Sequence, residues 1–506
     1  MSQMSNPNRE LKNGSNTDQK TPYKDNGISM EAMMMRTERW RGEGGGRELM
    51  RLSLPLILSS SFLTLQVFID RAMLSHYSSN AVAAAMPAAL LYWTPFLLLQ
   101  NVANYATTFV AQYTGAGRPE RVGPAIWQAF YFSLVAGIAF LGLYPLAPYL
   151  VALGDHSPPV QELEITYFRC LCFAGFPALI VATANSFFAG RGDSWTVLLI
   201  DAVGLTVNAV LAYCWIFGGF GMPAWGIAGA GWATVAGSSV SALLAVTLIL
   251  QPKWRARFHT LSGWRFDPDL FRRLMRYGFP NGLQWMLDVL AFTVFLFLIG
   301  RLGDVELAAT NIAFTINMVA VLPMLGMGQG VSILVGQRLG QDRPQIAERS
   351  TWNGFGLAWL YMGTVAAFYA LTPGLFLIVF QGKGAEAEGV AALVPVLLRF
   401  VAVYSLFDSM NLVFSFALRG AGDTRFVTII SLALAWPVMV IPSWAAWYYG
   451  WGLYWAWTFA SVYVIALGFT FLLRFRAGKW KTMRVIERAP AEMQAEPALA
   501  PIPVEV

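Results

Sequence analysis

From Arg51 onward the chain alternates long apolar runs with short polar breaks. The runs cover 51–76, 82–111, 123–150, 163–189, 195–217 and 226–250. After a charged segment they resume at 274–300, 306–335, 351–380, 390–418, 426–449 and 452–474. Each reaches the roughly 20 residues that a helix needs to cross a bilayer. With no water in the hydrocarbon, backbone polar groups must be satisfied within the segment, which predicts helices. The pattern therefore predicts an all-α membrane protein with twelve transmembrane helices. The first 46 residues are polar and end in Gly42-Glu43-Gly44-Gly45-Gly46; no apolar run of the kind found in a signal peptide follows the start. The expected division is a disordered cytoplasmic tail over 1–46, a six-helix lobe over 47–250 and a cytoplasmic linker over 251–273. A second six-helix lobe follows over 274–476, then a cytoplasmic tail over 477–506. From about Arg484 the chain is rich in Ala, Pro and Glu and reads as disordered.

Composition agrees. Asp, Glu, Lys and Arg make up 13% of the 506 residues, against about 25% in soluble domains. That is too little charge to coat two or more soluble domains. The 56% hydrophobic fraction argues against disorder for most of the chain. The net charge of +6 comes from 35 basic and 29 acidic residues. The basic ones sit in loops and tails, so no nucleic-acid partner is expected. Cys170, Cys172 and Cys214 lie in apolar runs away from His76, His156 and His259, which gives neither a disulfide scaffold nor a zinc site.

Loop charges predict orientation. Arg118, Arg121, Arg191, the stretch from Lys253 to Arg276, Arg338, Arg343, Arg349, Arg419 and Arg425 fall in alternate loops. Asp155, Glu162, Glu164, Asp304, Glu306, Glu386 and Glu388 fall in the others. The positive-inside rule puts the basic set and both termini in the cytoplasm. On this reading the basic residues, Arg419 included, set topology.

The two halves match at a nearly constant offset. Pro55 and Pro280, Ala83-Ala84 and Ala308-Ala309, and Gln112…Gly115…Arg118-Pro119 and Gln337…Gly340…Arg343-Pro344 are 225 residues apart. Gly190-Arg191-Gly192-Asp193-Ser194 and Gly420-Ala421-Gly422-Asp423-Thr424 are 230 apart. Six spans per half makes the repeats parallel, two lobes around a central cleft and related by an axis along the membrane normal.

Carboxylates inside spans are costly and are functional candidates by default. Asp288 lies mid-span in the seventh run, with Gln284 one turn earlier on its face and Trp285 three positions away. A cation over an indole face gains about 0.5–2 kcal/mol. Asp408 lies deep in the tenth run, one turn after Tyr404. Asp70, beside Arg71, lies in the outer part of the first; Asp201, near a loop, reads as structural. Asn208 and Asn311 are in-span amides that either line a cavity or bond a neighbouring helix. No G-x-x-x-x-G-K-[ST] or H-E-x-x-H sequence occurs, and no loop is long enough for a soluble catalytic domain. An enzyme is not expected.

Over roughly residues 48–475 the chain resembles the multidrug and toxic compound extrusion (MATE) transporters. The resemblance rests on Pro55…Asp70, Ala83-Ala84, and Gln112…Gly115 with Arg118-Pro119. In the second half it rests on Pro280…Asp288, Asn311, Gln337…Gly340, and Asp408…Leu418-Arg419-Gly420…Asp423-Thr424. It is most similar to the NorM-like branch, which places an acid eight residues after the span-seven proline and another eleven before the Leu-Arg-Gly arginine. Asp288 and Asp408 stand there, with aspartate replacing that branch's usual span-seven glutamate. The DinF-like branch pairs the span-one acid with an aspartate four residues after a span-five asparagine. Here Asn208 is followed by Ala212, which leaves Asp70 as the main remnant of that site.

The resemblance implies an antiporter that exports amphipathic, often cationic, drugs and toxic organic compounds by alternating access, driven by Na⁺ or H⁺. Asp288, Asp408 and Asp70 are then the cation-binding and coupling residues, the first two as Na⁺ ligands alongside Tyr404 and nearby carbonyls. Tyr404, Gln284, Trp285, Asn208 and Asn311 are the expected cavity residues. No cofactor is expected beyond the coupling ion. The expected setting is a monomer, multi-pass in a bacterial plasma (inner) membrane, with small organic molecules and the lipid bilayer as partners. The rival readings are a lipid-linked saccharide flippase of the same superfamily, which calls for a basic cavity, and a membrane protein that does not transport.

Overall fold

The computed structural model describes residues 40–219, 221, 223–377 and 385–487. Twelve helices among them are long and apolar enough to span a membrane. They are α1 (Gly46–Tyr77), α2 (Ser79–Gly115), α3 (Pro119–Leu141), α4 (Pro158–Arg191), α5 (Ser194–Phe217) and α6 (Ile227–Ile249). The second set is α7 (Pro268–Gly300), α8 (Asp304–Gly340), α9 (Pro344–Leu371), α10 (Glu388–Ala421), α11 (Thr424–Tyr448) and α12 (Leu453–Arg476). Local sequence explains several starts. Asp193 caps α5 by accepting from the Thr196 amide and hydroxyl at 3.3 and 2.8 Å. Asp267 accepts from the Leu270 amide at 3.0 Å, with Pro268 at the first position of α7.

With an even number of spans, both ends of the described chain lie on one face, here called the termini face. The core is divided accordingly. One apolar cluster draws on both lobes: Leu52, Phe109 and Ile200 from the first meet Leu334, Phe414 and Phe471 from the second. A second cluster, with Phe295, Val401 and Trp457, belongs to the second lobe alone. A third, with Leu74, Phe140 and Ile216, belongs to the first lobe alone. The shared cluster lies on the termini face and the separate ones toward the far face. The lobes thus share packing at the termini face, while toward the far face each packs within itself.

The duplicated motifs make the join. The Gln112 amide donates to the Gly420 carbonyl at 3.1 Å, and its counterpart Gln337 donates to the Gly190 carbonyl at 2.9 Å. The acceptors are themselves repeat counterparts. A Cβ on Gly115 would collide with the Gln337 carbonyl, and one on Gly340 with the Gln112 carbonyl. Small residues let helix backbones approach this closely. Further bonds cross beside them: Asn281 to the Asn101 carbonyl at 3.1 Å, and Tyr105 to the Arg419 carbonyl at 2.9 Å.

Both chain ends reinforce the seal. Residues 1–39 of the expected tail lie outside the described residues. Glu48 accepts from Arg338 at 2.6 Å, and the Gly44 carbonyl accepts from Asn353 at 2.8 Å. The other tail departs from its expected disorder as far as Glu487. Trp480 is fully buried and stacks on Phe475 at 4.7 Å between ring centroids, and Val485 is 1% exposed. The sequence pattern hid this, because two apolar anchors among polar neighbours give no periodicity. Residues 488–506 lie outside the described residues.

Gly115→Val and Gly340→Val are each expected to open the termini face. Overpacking of this kind costs about 1–3 kcal/mol, which shifts the closed-to-open ratio by about 5- to 150-fold. Inter-lobe distances between spin labels on the termini face measure it.

Candidate functional site

A buried hydrogen-bonded group on α7, α10 and α11 of the second lobe surrounds Gln284, beside Asp288. The Gln284 amide nitrogen donates to Asp288 Oδ2 at 3.2 Å and to Ser431 Oγ of α11 at 3.0 Å. Its oxygen accepts from Arg419 Nη2 of α10 at 3.0 Å. Gln284 is therefore a buried hub between an acid and a base, its amide bonded at both ends. Arg419 is 7% exposed, and its Nε and Nη1 have no hydrogen-bond partner. The guanidinium lies 5.1 Å from the ring centroids of both Trp285 and Phe416. It also interacts electrostatically with Asp288.

Asp408 is half-buried and accepts from Asn411 Nδ2 at 2.9 Å. Tyr463 of α12 interacts electrostatically with both Asp288 and Asp408. Tyr404 is buried, lies in the field of Asp408 and accepts from Asn317 Nδ2 at 3.2 Å. The helix backbone is irregular here. Residues Ala435–Val440 of α11 form a π-helical turn that contains Pro437. Since α7 and α11 run in the same direction and Gln284 bonds Ser431, this turn starts at the depth of Asp288. Such turns recur at functional sites.

The structure thus brings Asp288, Asp408, Gln284, Trp285 and Tyr404 into one lobe. Asp70 and Asn208 lie in the first lobe, and Asn311, on α8 of the second, makes none of these contacts. Asp70 is buried in the first lobe, where Oδ1 has no hydrogen-bond partner and Tyr167 lies within its field. Its neighbour Arg71 is exposed. Asn208 is buried and donates to Thr234 at 3.3 Å, a bond between α5 and α6. Asn311 is exposed near the start of α8. Asp201 accepts from Ser59 of α1 and, at 3.0 Å, from Asn185 of α4, tying three helices of its lobe.

Two expectations need correction. Arg419 is not a loop charge: the apolar run ends at 418, but α10 continues to Ala421 and buries the guanidinium. The cation found over Trp285 is this arginine, so one face of the indole is already taken. A signal for Arg419 exists in the sequence. Tyr404, Asp408, Ser415 and Arg419 follow helical spacing and form one polar stripe along α10. Tyr463 has no such signal, being one of 18 tyrosines.

A two-lobed, twelve-helix membrane protein with an acid linked through an amide to a buried arginine in its second lobe has the architecture of a membrane transporter. A family model described as MatE matches residues 55–214 and 280–445, one segment in each lobe. The chain belongs to this family. It is 30% identical over 400 residues to the probable multidrug resistance protein NorM of Xanthomonas axonopodis pv. citri (strain 306), spanning 76% of this chain and 84% of that one. Its fold matches a MOP superfamily transporter from Pyrococcus furiosus with a TM-score of 0.78 at 21% identity, over 88% of this chain and 99% of the other. It also matches a MATE structure in complex with MaL6 with a TM-score of 0.79 at 20% identity, over 88% and 99% of the two chains.

Gln284→Leu is expected to destabilise the protein by about 1–3 kcal/mol, because it strands Arg419 and Ser431. Asn311→Ala is expected to change stability by less than about 0.5 kcal/mol. Thermal unfolding in detergent separates the two.

Proposed function

We propose that this protein is a cation-coupled antiporter that exports amphipathic, often cationic, organic compounds, including drugs, across a bacterial plasma membrane. The observation that carries the reading is the buried chain of hydrogen bonds from Asp288 through Gln284 to Arg419, with Asp408 on the same helix as Arg419, in a lobe joined to the other at the termini face. The name of the NorM relative supports drug export as the activity. The density of Arg and Lys on the termini face supports a cytoplasmic placement of that face. In this reading the chain works as a monomer.

The chemistry follows from the cost of charge away from water. A carboxylate in a low-dielectric site is unfavourable as an anion until a cation reaches it. A hard ion such as Na⁺ prefers oxygen ligands; Asp288, Asp408 and Tyr404 supply them, and a proton neutralises the same acids. An organic cation competes for the same negative charge. With one pair of acids serving both, ion and substrate exchange rather than travel together. Arg419, held through Gln284, acts as the site's tethered counter-charge when no cation is bound. Its carbonyl is held by Tyr105 of the other lobe, so the site and the seal share one residue. Asp70 supports coupling from the first lobe. Arg419 does not make the cleft basic in the way a pyrophosphate-bearing saccharide requires, because its Nε and Nη1 are shielded from solvent.

Asp408→Asn is expected to abolish ion-driven efflux while leaving membrane insertion intact. Dye efflux from proteoliposomes, with Na⁺ and pH gradients imposed separately, tests it and identifies the coupling ion. Unchanged efflux in the variant would overturn the assignment.

A further inference from the structure

The chain after α12 lies on the join between the lobes. It leaves the helix at Gly478, whose φ of +72° is left-handed, and turns back through Lys479–Thr482. Trp480 anchors it to its own lobe by stacking on Phe475 and donating to the Phe475 carbonyl at 2.8 Å. Two ion pairs hold it to the same lobe: Lys481 with Glu348 at 2.5 Å, and Arg484 with Asp342 at 2.7 Å.

Beyond Arg484 its partners change lobe. The Val485 amide donates to Gln112 Oε1 at 2.9 Å. Gln112 is the seal residue whose other amide atom reaches Gly420, so the strap completes its hydrogen bonding. Glu487 accepts from Tyr113 at 2.8 Å, Arg118 at 2.9 Å and Arg121 at 3.2 Å, all in the first lobe. It also accepts from Arg273 at the start of α7. Burial alone would raise the Glu487 pKa. The hydrogen bonds from Arg273 and Tyr113 and the charge of Arg273 outweigh it and hold the carboxyl at about 2. Its folded value lies below its ordinary one, so the charge contributes at neutral pH and is lost only as the pH falls toward 2.

We propose that residues 479–487 form a strap that latches the lobes together at the termini face, with Glu487 as its catch in the Arg118–Arg121–Arg273 nest. The strap is built into one lobe and clasps the other, so parting the lobes at this face requires Glu487 to leave Tyr113, Arg118 and Arg121 and Gln112 to lose Val485. The strap therefore biases the protein toward the state in which the cleft opens at the far face. This goes beyond the coupling chemistry, but it rests on the reading that the lobes rock.

The test uses the full chain in lipid nanodiscs with spin labels at Ala256→Cys and Gln345→Cys. Both positions are exposed, one on the segment after α6 and one at the start of α9. The three native cysteines are buried and do not compete for label. The unaltered strap and Glu487→Asp are expected to give mainly the short inter-lobe distance, at pH 5 as at pH 7.5. Glu487→Lys, which faces three arginines, and a chain ending at Thr482 are expected to raise the long-distance fraction at least threefold. The proposal is overturned if both match the unaltered strap while Gly115→Val, the wedge in the seal, shows the long distance. If no variant, Gly115→Val included, shows a second distance, the rocking of the lobes fails and the strap's role falls with it.

Discussion

The close approach of Gln112-to-Gly115 and Gln337-to-Gly340 is the constraint from which the rest of this architecture follows. Each segment places a glycine against the other's backbone, so the lobes meet where no side chain separates them. The two glutamines then spend their amides on carbonyls across the join. In a membrane interior there is little hydrophobic drive between helices, and close packing with hydrogen bonds must supply the attraction. A contact made this way is well suited to switching. It is tight only in one register.

That contact also decides where charge is tolerated. On the termini face, water and paired partners allow Arg118, Arg121, Arg273 and Glu487 to sit together as ions. Deeper in, Asp288 has no direct ion pair; it meets Arg419 through the Gln284 amide. A direct Arg–Asp pair there would be self-satisfied and slow to accept an incoming cation. In the proposed antiport, the intervening amide leaves the carboxylate available to a cation while the guanidinium still offsets part of its charge. The two orphaned guanidinium nitrogens are the cost of that compromise.

Much of this was legible in the residues. Twelve spans follow from run length, because an apolar run of that length has no alternative fold in lipid. The duplication follows from motif spacing, and the structure puts those motifs at the join. Asp288, Asp408, Gln284 and Tyr404 stand out as polar groups in apolar runs. What escaped depends on boundaries and on contacts between distant segments. Arg419 lies one residue beyond the visible run, so it reads as topology. The strap's meaning comes from Gln112, Arg118 and Arg273, which are more than 200 residues away, and local composition carries no trace of them. Tyr463 gains its place from helix packing alone.

The seal is symmetric between the repeats and the chemistry is not, and the difference is instructive. Asp70 and Asp288 fall in corresponding spans, yet Asp70 has Tyr167 in its field and an unbonded Oδ1, while Asp288 has an amide hub and a counter-charge. The chain ends are likewise unequal: the first lobe reaches across with Glu48 to Arg338, the second with a strap anchored by a buried tryptophan. Rocking about a pseudo-twofold axis needs matched surfaces where the lobes touch, since each must serve as the other's bearing. In the proposed antiport, coupling needs only one lobe to sense charge where the seal joins that lobe to the other. Duplication therefore constrains the bearing to stay paired and leaves the site free to specialise. The carbonyl of Arg419, bonded to Tyr105 of the opposite lobe, is where the specialised half meets the symmetric one.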